Sequence, residues 1–450
     1  MNMLGDLDRE ANARLQFKIF KRRRIIKRRH HKSSNPLHSF RYGSHIRRTY
    51  SLLIKEFDKN GYIQQKYVRK VIDIPKIFSF KSNFDDSILV YKMLLSSYIL
   101  GVGHVILNFT SCKKADIANF ELLNVLVDAL VELKERYNYG LHYPTHKFIK
   151  CVCSKYDGKT NKYLHAFKYH QLEEEFCDDS KFLPLNLFKG RNRRSYKENM
   201  KAIAVSQIVD FVRESVRAMD VDLSVNGQNS LEGFTSEVLN NAEDHSLAKS
   251  EWFVNGIAFN EVQEDVNVIE LNLSIMNVGL SMYGGFEETK EQNISIYNKL
   301  DDLYEEHVQK FPSNKVFSRE SMFMLYMLNE GISRLKYLDD SRGHGTMNFI
   351  EAFIELGSFG EINNKFQPRL NIISGHSVLT CDNKYKPYKD GTFRKISLNK
   401  DRSIRSLPDK DYLQYNQEYF PGTILECKIY LNKEHTQNIL KANGTAETYN

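Results

Sequence analysis

The sequence predicts an α/β protein, with a smaller N-terminal α/β domain followed by a larger domain of helices and strands. A continuous apolar run at 103–109 indicates a buried strand, and the apolar residues of 116–137 recur with the period of a helix. Residues 252–259 and 268–276 then alternate like the two strands of a hairpin. A strand, a turn and a helix in succession favour a parallel strand pair in the first domain.

The positive charge of the chain is concentrated at its N-terminus. Residues 1–50 hold 14 Lys and Arg against 3 Asp and Glu, a net charge of +11. The whole chain carries +8, so the other 400 residues carry −3. The densest part of this basic arm, 18–32, interleaves basic and apolar residues, which suits binding to the phosphates of a nucleic acid or of an anionic membrane. A solvated basic tail explains such a run equally well.

Composition suggests the remaining boundaries. Residues 51–180 are predicted to form the N-terminal domain, the polar and turn-rich 181–198 a linker, 199–435 the larger domain, and 436–450 a flexible tail. The sequence has no apolar run of transmembrane length and no apolar core of a secretory signal. Its 6 cysteines in 450 residues do not make a disulfide framework, so a cytoplasmic location is expected.

Three cysteines and two histidines lie close together in the N-terminal domain: Cys151, Cys153, His165, His170 and Cys177. Thiolates and imidazoles are the usual ligands of zinc, but this spacing matches no common structural zinc site. Residues two apart on a strand also face the same side, so core packing explains Cys151 and Cys153 as well. We favour packing over zinc here.

The predicted helix at 237–246 carries groups suited to catalysis on one face. Glu237, Asn241 and His245 recur every four residues and therefore share that face. A carboxylate can take a proton from water, and an amide oxygen can complete the shell of a hard cation. A polar helix face in water would show the same spacing, and His245 fits a role at the helix end better than one in chemistry.

Two further segments follow this helix. The strand at 268–276 leads into Asn277-Val278-Gly279-Leu280-Ser281, and Arg342-Gly343-His344-Gly345-Thr346 opens a predicted helix at 346–356. Glycines at a helix N-terminus let free backbone N–H groups approach anionic oxygens such as those of a phosphate. Each segment alone is a weak signal, because a Gly-x-Gly turn before a helix is common.

Together the three segments resemble the N, G1 and G2 boxes of the GHKL ATPases. This family includes histidine kinases, the gyrase ATPase subunit, a heat-shock chaperone family, mismatch-repair ATPases and the anti-sigma-factor serine kinases. The resemblance covers about residues 200–432. It implies a two-layer sandwich with helices over one face of a mixed sheet, and ATP and Mg²⁺ as cofactors. It also implies a mobile lid over the nucleotide, at roughly 284–341.

The resemblance gives each site residue a role. Glu237 would activate the attacking nucleophile, and Asn241 would complete the coordination of Mg²⁺. Asn277 stands where the family has an aspartate that receives the adenine amino group, and Ser281 replaces the second glycine of that box. The other residues expected to contact the nucleotide are Gly279, Arg342, Gly343, His344, Gly345, Thr346 and Thr423.

The N-terminal domain has a resemblance of its own, which covers about thirty residues. The strand from Val105, the residues around Asp116 and the helix after them are similar to the STAS fold of anti-sigma-factor antagonists. In that family a serine or threonine at the start of this helix accepts phosphate. Ile117 and Ala118 occupy the equivalent place here, so the resemblance implies a protein-interaction or sensory module.

Three functions are open from the sequence. The first is a GHKL ATPase that hydrolyses ATP with Glu237 and switches a protein partner or its own dimer. The second is a protein kinase of the anti-sigma-factor serine kinase type. The helix at 199–220 contains no histidine, which argues against an intact sensor histidine kinase. The third is a non-enzymatic scaffold, in which Asn277 marks an altered nucleotide site.

Overall fold

The structure is a computed structural model. It describes residues 52–100, 105–138, 149–153, 160, 162–164, 182–191, 200–220, 222–223, 225–245, 251–263, 266–313, 315–330, 332, 345–357 and 366–433. The basic arm at 1–50, the predicted tail at 436–450 and three of the candidate zinc ligands, His165, His170 and Cys177, lie outside these residues.

The N-terminal module is an α/β unit around a small parallel sheet. Its strands β1, β3 and β5 pair in that order, and both pairings are parallel, as the order of strand and helix predicts. The short strands β2 and β4 form a second parallel pair. In chain order the elements are α1 (Leu52–Lys59), β1 (Val71–Asp73), β2 (Ile77–Phe78), α2 (Phe84–Leu100), β3 (Val105–Asn108), β4 (Lys114–Ala115), α3 (Ile117–Asn138) and β5 (Ile149–Val152).

The rest of the described chain is built on a five-stranded sheet with the strand order β6-β7-β8-β12-β9. All four of its neighbouring pairs are antiparallel, so it is not the mixed sheet that the resemblance implies. The elements are β6 (Phe182–Arg191), α4 (Met200–Arg217), α5 (Val225–His245), β7 (Glu251–Gln263), β8 (Val266–Val278), α6 (Met282–Glu288), α7 (Ile294–Lys310), α8 (Arg319–Met327), α9 (Gly345–Gly357), β9 (Arg369–Cys381), β10 (Tyr388–Asp390), β11 (Phe393–Lys395) and β12 (Leu413–Leu431).

The interpretation of 181–198 as a linker is wrong for residues 182–191. Strand β6 pairs with β7 from Phe182 opposite Phe259 to Arg191 opposite Glu251, and it forms one edge of the large sheet. Pro184 suggested a turn, but an edge strand tolerates proline because only one of its sides needs ladder hydrogen bonds.

The two faces of the large sheet are covered by different elements, as the alternating side chains of strand β8 show. Ile269, Leu271 and Ile275 belong to a core shared with α4, α5 and α9. Met276 and Val278 belong to a core shared with α2 and α3. We call these two sides the helix face and the module face. Helices therefore lie on both sides of the sheet, which makes three layers where two were expected.

Polar contacts also join the N-terminal module to strand β12. The Tyr62 hydroxyl donates a hydrogen bond to the backbone oxygen of Tyr419 at 2.6 Å. The backbone N–H of Glu418 donates to the Asp85 carboxylate at 2.8 Å, and the Glu418 side chain forms an ion pair with Lys92. The module is therefore attached to the large sheet by directional bonds as well as by its apolar core.

Buried carboxyl groups lie between the module face and helix α3. Glu426 of β12 accepts hydrogen bonds from the backbone N–H of Ala118 at 3.3 Å and from the Asn371 amide at 2.7 Å. Burial raises the pKa of Glu426 to about 7, and the nearby Asp116 adds to the rise. Burial also raises the pKa of Glu121, which contacts the Ser274 hydroxyl.

This arrangement predicts that Glu426 contributes less to the stability of the fold as the pH rises from about 4.5 to about 7. In that range folded Glu426 keeps a proton that an unfolded carboxyl, with its usual pKa of 4.5, has released. Glu426→Gln removes this titration, so the free energy of unfolding should fall less steeply over the same range. Urea unfolding at pH 5, 6, 7 and 8 measures it. Glu288→Gln, at an exposed position, is the control. If the free energy of unfolding depends on pH equally in wild type and in Glu426→Gln, the raised pKa of Glu426 is contradicted.

Candidate functional site

Helix α5 has the apolar and polar sides that its sequence predicts. Val238, Leu239 and Ala242 are buried in the core on the helix face of the sheet. Glu237 and Asn241 are half-buried. No hydrogen bond or ion pair joins either of these two side chains to another part of the chain that the structure describes.

A lysine of the neighbouring helix α4 contacts two other polar residues of α5. The Lys201 ammonium lies 3.3 Å from the Glu243 carboxylate and also donates to the Asn240 amide oxygen. Glu243 is thus neutralised by an ion pair, and this leaves Glu237 as the carboxylate one turn from Asn241. The third residue of the predicted row, His245, is the last of α5, and its side chain lies outside the described part of the structure.

A row of polar side chains crosses the end of the sheet. In the register of strands β8, β12 and β9, Asn277 lies opposite Thr423, and Thr423 lies opposite Ser374. The Ser374 and Thr423 hydroxyls share a hydrogen bond of 2.9 Å. The Ser374 hydroxyl also accepts from the backbone N–H of Met282 at 2.8 Å and donates to the Gly422 carbonyl at 3.0 Å. Sequence reasoning found Asn277 and Thr423 but missed Ser374, whose only signal is a polar residue at a strand end.

Two glycines allow the backbones of β8 and β12 to come close at this point. Gly279 has a φ of 147° and Gly422 a φ of 144°, a conformation that side chains disfavour. The backbone N–H of Gly279 donates to the Pro421 carbonyl at 3.1 Å. A Cβ on Gly422 would lie 2.1 Å from the backbone oxygen of Asn277. Both positions therefore require glycine.

Gly422→Ala is expected to destabilise the fold by about 1–3 kcal/mol, because it strains the backbone and pushes β12 away from Asn277. Urea unfolding measures the change. Gly233→Ala is the matched control, because Gly233 lies in helix α5 with no atom within 4 Å of an added Cβ. That control should stabilise the protein by about 0.5–1 kcal/mol. Equal effects of the two substitutions would contradict the packing described here.

The side chain of Asn277 is buried on the helix face with an unused donor. Asn277 is 3% exposed, and its amide nitrogen has no hydrogen-bond partner among the described residues. Directly opposite on β7 lies Trp252, whose indole N–H is also buried without such a partner. Buried polar groups are normally hydrogen-bonded, so these two donors call for a partner such as a water, an ion or a ligand.

Ser281, which replaces a glycine in the family pattern, begins helix α6. Its φ is −64°, which any residue can adopt, and its hydroxyl accepts from the backbone N–H of Gly284 at 3.0 Å. A serine at this N-cap position satisfies a donor of the first helical turn. The substitution is therefore compatible with the local backbone.

The segment predicted to bind phosphate lies partly outside the described residues. Arg342, Gly343 and His344 are not among them, whereas Gly345 and Thr346 form the start of α9. Helix α9 packs against α5 and over strands β9 and β12, on the helix face. The first N–H groups of a helix have no partner within it. The predicted helix at 346–356 is thus confirmed, and it lies beside α5.

Most of the segment predicted to be a mobile lid, 284–341, is packed helix. It contains nearly all of α6, the whole of α7 and the whole of α8. Helix α8 is deeply buried, with residues 321–326 each at most 1% exposed, and it packs against β9. A helix in the core cannot open without disrupting that core. The lid prediction is therefore wrong for α8, residues 319–327.

Arg394 connects the chain just after α8 to helix α9. Sequence reasoning did not identify this residue. The guanidinium of Arg394, on β11, bonds the Glu330 carboxylate with an Nε–Oε1 distance of 2.6 Å. It also bonds the Glu351 carboxylate with an Nη1–Oε2 distance of 2.6 Å, and it contacts the Asn348 amide oxygen. Glu330 precedes residues 331–344, and Asn348 and Glu351 follow them. Arg394 therefore fixes the chain on both sides of the segment that contains Arg342.

The cysteine cluster gains no support as a metal site. Cys151 is buried on β5, and burial raises the pKa of its thiol to about 12, which disfavours the thiolate that zinc needs. No group of three potential metal ligands occurs among the described residues.

Comparisons with protein-family models, with curated proteins and with solved structures found no match to this chain. Within the described part of the chain, no helix has both the length and the apolar character needed to span a membrane.

Proposed function

We propose that this protein is a Mg²⁺-dependent ATPase of the GHKL type, with its nucleotide site on the helix face of the large sheet. The observation that carries the proposal is the packing of three distant segments. Helix α5, which holds Glu237 and Asn241, packs on β8, whose end holds Asn277, and α9 packs against α5. These are the segments that resemble the N, G1 and G2 boxes.

Each part of Mg·ATP has a chemically suitable partner in this proposal. Asn277 and Thr423 receive the base, and Gly279 allows the base to approach the backbone. The phosphates bind at the N-terminus of α9 and to Arg342, which neutralises part of their charge. Asn241 supplies an oxygen to Mg²⁺, and Glu237 takes the proton of the attacking water.

A switching role for the N-terminal module is part of the proposal. Helices α2 and α3 pack on the module face of β12, and α3 also packs on β8. These two strands carry Asn277 and Thr423 on their other face. A shift of β8 or β12 on nucleotide binding would therefore reach the module directly, and through it a protein partner or a second copy of the chain.

The test is a titration with ATP, in the presence and absence of Mg²⁺, followed by analysis of the products. The ATPase proposal expects Mg²⁺-dependent binding and release of inorganic phosphate. Labelled phosphate on a protein would instead support the kinase alternative at the same site. Binding without turnover would support a nucleotide-binding scaffold, and no binding at millimolar ATP would contradict all three.

A further inference from the structure

The proposed base position has a hydrogen-bonding capacity that a carboxylate would lack. A carboxylate only accepts hydrogen bonds, so it suits the amino group of adenine and repels a carbonyl oxygen at the same position. An amide has both an acceptor and a donor. The Asn277 nitrogen is buried and bonded to no described residue, so its donor is unused.

The neighbouring indole carries a second donor on the same face. The Trp252 ring stacks on Phe188 with centroids 6.0 Å apart, and a Cβ on Gly190 would lie 2.0 Å from it. The ring is therefore held in place, and its buried N–H has no partner among the described residues. An indole can only donate. The Trp252 donor is thus held over β6, on the other side of β7 from Asn277, which leaves Asn277 as the unused donor beside the proposed base position.

Purines differ in the hydrogen-bonding groups that they would present to the Asn277 amide. A 6-oxopurine presents two acceptors, O6 and N7, along one edge, whereas adenine presents N7 beside its amino group. The amide oxygen of Asn277 can accept from the adenine amino group, and its nitrogen can donate to O6 after rotation. The site thus offers a hydrogen bond to either kind of purine.

We propose that this site binds 6-oxopurine triphosphates as well as ATP, and that Asn277 determines this tolerance. The inference rests on the proposed nucleotide site, and it adds the class of base that the site accepts. An aspartate at 277 would remove the donor and place a negative charge against O6, so it would restrict the site to adenine.

The experiment compares the Kd of ATP with that of inosine triphosphate, which has an oxygen in place of the amino group. Wild-type protein is expected to bind the two within about tenfold of each other, whereas Asn277→Asp should favour ATP by about 100-fold or more. Asn260→Asp, at an exposed position of β7, adds the same charge and should keep the wild-type ratio.

The outcomes separate the two proposals. A wild-type preference for ATP above about 100-fold would overturn the inference and leave the ATP site in place. An unchanged ratio in folded Asn277→Asp would do the same. If Asn277→Asp does not fold, the wild-type ratio decides alone. Failure of folded wild type to bind either nucleotide would overturn the proposed function and this inference together.

Discussion

Glu237→Gln is expected to lower kcat for ATP hydrolysis by about 10²–10⁴-fold while Mg·ATP still binds. Glutamine keeps the size and polarity of the side chain, but it cannot take a proton from water. Glu237 is half-buried on α5, one turn before Asn241, and it has no ion pair with a described residue. The measurement is steady-state phosphate release, with the Kd of ATP determined separately.

The same helix provides a matched control. Glu232 also lies on α5 but is exposed, so Glu232→Gln should leave both turnover and binding close to wild type. If Glu237→Gln turns over ATP as fast as Glu232→Gln, Glu237 is not the general base. If it no longer binds ATP, the glutamate acts in binding and its catalytic role fails.

Among the substitutions proposed, Arg394→Met is expected to destabilise the fold most. Its free energy of unfolding should fall by about 3–5 kcal/mol. The Glu330 side chain is only 4% exposed, and Arg394 forms an ion pair with it. Methionine fills much of the same space but leaves that carboxylate buried without the guanidinium. Urea unfolding measures the loss. Because Arg394 also bonds Glu351 on α9, the KM for ATP should rise as well.

An exposed ion pair gives the control for this substitution. Arg405 lies 2.9 Å from Glu306, and the two side chains are 63% and 53% exposed. Arg405→Met should therefore cost about 1 kcal/mol or less. If Arg394→Met lowers the free energy of unfolding as little as Arg405→Met does, the ion pair between Arg394 and Glu330 does not stabilise the fold.

Local patterns in the sequence predicted the regular elements well. The apolar side of α5, the β7–β8 hairpin and helix α9 all follow from periodicity, which depends on neighbours along the chain. The sequence after Ser318 also predicts a helix, to about Leu335, but α8 ends at Met327, which shows the limit of this method. Just beyond it, the Asn329 amide oxygen accepts from the backbone N–H of Ile396 at 2.8 Å, a bond to a residue far along the chain.

The features that sequence reasoning missed all depend on such distant contacts. The pairing of β6 with β7 made an edge strand of a segment that looked like a linker. Ser374 joins the proposed site through its bonds to Thr423 and Met282. Arg394 bonds Glu330 and Glu351, on either side of residues 331–344. A single sequence does not show which distant residues meet. It did bring Asn277 and Thr423 into one proposed site, and their pairing across β8 and β12 agrees with that.

The most direct test of the proposed nucleotide site is a crystal structure with Mg²⁺ and a non-hydrolysable ATP analogue. We expect the base beside Asn277 and Thr423, the metal bound to Asn241, and the phosphates at the N-terminus of α9. An analogue bound elsewhere on the molecule, or a metal without contact to Asn241, would contradict the account.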